Sequence, residues 1–220
     1  MKKLHRSWVL LGLAMAVILM TAGPAMALTL DSVGVLWSNP VGAAVTNGAF
    51  FVISPLEIRW GVPVGSPAPA GLRFTPSFPP PSLPFGTFTL GILTHFNNQI
   101  SSYVGGLDRV DLTLSPHFDN GATTDWKYRL HLLETPNHPT PQDDTITVET
   151  LDASTLIVTS EYHLTPLGFS PSTIVSPEFT ETHTPFLATV PNPSPLLLIG
   201  LGLVALAGAT RLKAHTGNKK

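Results

Sequence analysis

The central part of this 220-residue chain predicts an all-β protein, an antiparallel β-sandwich of the jelly-roll-like or immunoglobulin-like kind. Three observations lead there. Apolar residues recur with period two in several short runs, which places them on one face of a strand. Dipeptides that accept positive φ, namely Asn47-Gly48, Gly105-Gly106 and Asn120-Gly121, stand where hairpins need them. No window of a dozen residues between the two ends has helical periodicity with caps, and 22 prolines forbid long central elements.

Taken in chain order, the first element is not part of that fold. Lys2, Lys3 and Arg6 precede an apolar stretch from Val9 to Met20, and Ala25-Met26-Ala27 offers small residues to a signal peptidase. This is the pattern of a cleaved signal peptide over residues 1–27, too short in its apolar part for a ~30 Å bilayer core. The mature chain then starts at Leu28. Residues 28–189 are long enough for one domain with a sizeable core.

Within it, Gly65 to Pro84, with "SPAPAGLRF" and "SFPPPSLP", reads as a long surface excursion between strands. Val110, Leu112 and Leu114 alternate with Asp111 and Thr113. In "DWKYRLHLLET", Trp126, Tyr128, Leu130 and Leu132 share one side and Lys127, Arg129 and His131 the other. Ile146 and Val148, then Leu156, Val158, Tyr162 and Leu164, continue the period. Each pattern gives a strand covered on one face.

Residues 190–220 form a third unit. The run from Leu196 to Ala209 carries no charge and, as a helix, reaches ~21 Å. With Pro195, Thr210 and the stem of Arg211 it approaches the length of a membrane helix. Arg211 and Lys213 flank it, and Lys219 and Lys220 end the chain, so the positive-inside rule leaves the tail in the cytoplasm and the domain outside.

Charge sharpens the picture. Of 12 Lys and Arg, three fall in the signal segment and four follow the apolar run, while all 14 Asp and Glu lie between. The central domain therefore holds five bases against fourteen acids, a balance of −9. Such a surface repels nucleic acid and anionic lipid, which excludes a DNA- or RNA-binding role. Cysteine is absent, so the fold relies on its core and turns.

Few residues suggest chemistry. In "THFNNQI", His95, Asn97 and Asn98 are candidate glycan contacts, with Phe96 as a stacking ring; alternatively Phe96 fills the core and the Asn pair bonds to backbone. "DNGATTD" (119–125) offers two carboxylates to calcium but lacks the closing acid of a twelve-residue loop, and Asn120-Gly121 already explains it as a turn. Asp143-Asp144 reads as a solvated turn, and Trp37 and Trp60 as core aromatics beside turns. There is no H-E-x-x-H, no G-x-S-x-G and no phosphate or dinucleotide loop, so the sequence points to no catalytic residue, metal or cofactor.

Val190, Pro191, Asn192, Pro193 and Ser194, followed by a short apolar helix and a basic end, resemble the PEP-CTERM sorting signal of Gram-negative bacteria. Asn192 stands where that motif usually has Glu. The resemblance implies processing by exosortase near the Pro-x-Pro motif, with release to the cell surface or extracellular matrix. "LWSNPVG", "IRWG", "GLRF", "LGILTHFNNQI", "LLETPN" and "YHLTPLGF" fall in an order similar to the choice-of-anchor K domain, whose members are exported and β-rich. The combined expectation is a structural or adhesive surface protein without enzymatic activity. The alternatives are a carbohydrate-binding module for exopolysaccharide and a glycan-acting hydrolase, which needs two converging carboxylates.

Overall fold

The computed structural model describes residues 29–77, 86–134, 143–159, 162–177 and 179–191. The expected signal segment, the expected sorting residues Asn192, Pro193 and Ser194, the apolar run, and Arg211 and Lys213 lie outside the described residues. Among the described residues, no helix is long and apolar enough to cross a membrane.

Among the described residues, twelve strands and one short helix follow each other as β1 (Leu30–Val41), α1 (Ala43–Thr46), β2 (Phe50–Ser54), β3 (Glu57–Trp60), β4 (Ala70–Pro76), β5 (Gly86–Phe96), β6 (Arg109–Phe118), β7 (Trp126–Leu133), β8 (Asp144–Asp152), β9 (Leu156–Ile157), β10 (His163–Phe169), β11 (Thr173–Ser176) and β12 (Glu181–Val190). They pair antiparallel into a five-stranded sheet, β1-β6-β7-β8-β11, and a seven-stranded sheet, β2-β3-β4-β5-β12-β10-β9. The two sheets face each other as a sandwich.

The alternation in β6 and β7 decides which face is inside. Val110, Leu112, Leu114, Trp126, Tyr128 and Leu130 are buried, and their neighbours Lys127 and His131 are exposed. The opposite sheet contributes Ile58, Trp60, Leu72, Phe74, Leu93 and Phe186, none with accessible surface. Phe186 of β12 sits at the centre. Its ring lies 5.2 Å from Tyr128, 5.0 Å from Phe169 and 6.1 Å from Trp126, so it joins both sheets. Offset and edge-on rings of this kind add to the apolar burial.

Three expectations change. The stretch read as an excursion contains β4, whose Leu72 and Phe74 are core residues; flanking prolines hid a strand only seven residues long. The pattern from Leu156 to Leu164 is two strands, not one: β9 and β10 pair as Leu156↔Leu164 and Ile157↔His163. Asp144 is 4% exposed at the start of β8, opposite Ser176, and only Asp143 is solvated. Asn120-Gly121 makes the expected turn, with the Asn120 side chain accepting from the Ala122 N–H at 3.0 Å.

Candidate functional site

Strand β5 carries "THF" with an inverted register relative to a surface site. His95 and Asn97 point inward and are each 1% exposed. The Asn97 amide donates to the Ser176 carbonyl at 2.7 Å, linking the seven-stranded sheet to β11 of the other. Phe96 lies on the outer face yet is only 5% exposed, because Arg59 and Arg73 lie over its ring at 3.8 and 4.7 Å. Guanidinium groups favour such faces. Asn98 is part-buried and donates to the Pro69 carbonyl, which Arg59 also reaches. Of the three predicted glycan contacts, two are thus interior and the third is engaged with backbone.

His95 packs beside Trp60, the rings nearly parallel and 6.2 Å apart. Neither imidazole nitrogen has a partner among the described residues, and burial lowers its pKa from 6.5 to about 4, so it is a neutral core residue near pH 7. The Trp60 indole donates in turn to Glu134, which follows β7 in the other sheet. The Glu134 carboxyl also accepts from the Leu107 backbone N–H, and burial pushes its pKa from 4.5 up to about 8, with the charges of Asp144 and Asp108 adding to the rise. Gly106 leaves room for it: a Cβ there would stand 2.0 Å from Glu134 Oε2.

The outer face of the five-stranded sheet is different. Register sets three rows across β1, β6 and β7: Gly34 and Ser115 with Asp125 just before β7, then Leu36, Thr113 and Lys127, then Ser38, Asp111 and Arg129. Together with Asn39 and Leu151, most of these line an open groove of about 250 Å³. On its floor the Arg129 guanidinium grips Asp111 in a two-point pair, at 2.8 and 3.1 Å, and the Asn39 amide donates to the same carboxylate at 2.9 Å. The Arg129 hydrogen bond, with Asn39 assisting, holds the Asp111 carboxyl below the usual range. Ser115 donates to Asp125 Oδ1 at 2.6 Å, leaving the second oxygen open, and Lys127 makes no ion pair among the described residues.

Asp119 accepts weakly from the Thr29 N–H at 3.4 Å, while Asp125 turns to Ser115, so the "DNGATTD" carboxylates serve separate partners. Trp37 and Trp60 are core aromatics, as their setting beside turns suggested. No protein-family model matches the chain, and no curated protein matches it in sequence.

Proposed function

We propose that this chain is an exported structural or adhesive protein, sorted by an exosortase in a Gram-negative bacterium and delivered to the cell surface or extracellular matrix. The observation that supports this reading most is a coincidence of boundaries. The first strand begins at Leu30, two residues past the expected signal-peptide cut, and the last ends at Val190, beside the Pro-x-Pro motif. The described fold thus fills the space between the two predicted topogenic segments. Val190 is 1% exposed and paired with Gly86, so at this end of the folded domain a protease meets a protected strand up to Val190 and accessible chain from Pro191.

The groove favours binding over catalysis. Asp111 is fixed as an anion by three donors, which suits it to hold a neighbour and unsuits it as a proton donor. A glycan-acting hydrolase needs one carboxyl kept protonated beside a second in the same cleft.

The test is the intact mass of the mature protein together with its fractionation. A product starting at Leu28, ending between Pro191 and Ser194 and free of the inner membrane is expected. A protein that keeps its whole tail in that membrane overturns the sorting step.

A further inference from the structure

We propose that the groove on the outer face of the five-stranded sheet is a binding site for an uncharged polysaccharide chain. This goes beyond delivery to the surface and stands on the folded domain alone, so a failure here and a failure of sorting are read by different experiments.

The first argument is charge. The groove is lined by two carboxylates, Asp111 and Asp125, and one cation, Lys127, and Arg129, which pairs with Asp111, brings the local charge to balance. It is set in a domain whose balance is −9, which repels a polyanion at longer range. A hydroxyl-rich neutral chain meets neither obstacle.

The second is the pattern of open hydrogen-bonding groups. Asp111 is already bonded to Arg129 and Asn39, and this spends the charges that would otherwise demand an ionic ligand. Left without a partner among the described residues, on residues that are exposed, are the Lys127 ammonium, the second Asp125 oxygen and the Asn39 carbonyl oxygen. Donor and acceptors interleaved within one groove match hydroxyls, each of which gives and accepts. On either side Leu36 and Leu151, 60% and 40% exposed, offer aliphatic surface to the C–H faces of sugar rings.

The third is backbone strain. Asn39 has φ of 51°, a left-handed conformation uncommon outside glycine, and its side chain is tied down on Asp111. A residue held this way at the lip of a groove belongs to the class of outliers that collect at ligand sites. The volume, under the ~300 Å³ of small-molecule pockets, suits a chain lying along the surface better than an enclosed ligand.

Native affinity electrophoresis of the purified full chain through gels containing dextran, yeast mannan or galactan tests the site, with polygalacturonate as the acidic comparison. Retardation by at least one neutral polymer is expected. The combined Asp125→Ala and Lys127→Ala variant should lose at least tenfold in apparent affinity with an unchanged melting temperature. Asn98→Ala, on the other sheet, should bind normally. If the double variant unfolds, Lys127→Met alone supplies the reading. Passage through all three neutral gels, retardation by polygalacturonate alone, or undiminished binding by the groove variants would each overturn the proposal.

Discussion

The indole N–H of Trp60, in β3 of the seven-stranded sheet, is donated to the carboxylate of Glu134, at the end of β7 in the five-stranded sheet. One polar contact therefore clamps the two layers at the end of the sandwich where β3 and β7 finish. Because the carboxyl is enclosed, its ionisation works against the fold. Its pKa is raised to about 8 in the folded protein and is 4.5 when exposed, so the folded state holds the proton more firmly. The Glu134 contribution to stability is full below 4.5 and is lost as pH rises toward 8, by at most about 1.4 kcal/mol per pH unit. Thermal melts of the Glu134→Gln variant should lack this decline between pH 5 and 8. Between pH 6.5 and 8, above the range where His95 opposes the trend, a wild-type melting temperature that does not fall would contradict the enclosure of Glu134.

Gly106 and Glu134 should behave as one unit. A methyl group at Gly106 would displace the carboxylate and separate it from Trp60. Gly106→Ala and Glu134→Ala should each destabilise, while the double variant costs less than their sum. A coupling of about 0.5–3 kcal/mol is expected from urea titrations. Strict additivity would mean the glycine serves the loop alone.

His95 gives the opposite pH signature. Its folded-state pKa of about 4 lies below the 6.5 of the free side chain, so the unfolded chain takes up a proton first. Stability falls as pH drops from 6.5 to 4. His95→Phe, which keeps a ring against Trp60, should flatten this acid limb and leave the Glu134 limb in place. Melting curves at half-unit pH steps distinguish the two.

Phe186 is the central packing contribution to test. It touches rings from both sheets and has no accessible surface. Phe186→Ala should cost about 3–5 kcal/mol, a fall of roughly 10–15 °C in melting temperature. Asn98→Ala, at a part-buried position outside the core, should cost far less.

Much of the fold was legible, and the reasons differ by element. β6 and β7 were read correctly because apolar core residues alternate with polar ones on the outer face, even where Asp111 and Thr113 are themselves buried. β5 was not, since Phe96 on its outer side is roofed by two arginines and both faces look buried. That concealment turned His95 and Asn97 into apparent surface groups. The groove left a partial trace: Asp111 and Thr113, Lys127 and Arg129 were already placed on outward positions. Their meeting depends on the register of β6 against β7, which no single strand encodes. Glu134 left no signal of its own, because its partner Trp60 lies 74 residues away in the chain.

Strand β12 leaves the domain from the interior of a sheet, flanked by β5 and β10 and registered with β5 from Glu181↔Phe96 to Val190↔Gly86. Tension applied at Pro191 along the strand is therefore met by many rungs at once, in shear, with Phe186 as a plug between the layers. A tether fixed at that end would hold until those rungs slip together, and the lifetime under pull would follow the unfolding rate instead of the equilibrium stability. Were the molecule held by its C-terminal side while its opposite sheet gripped something else, that would be the geometry of a tie.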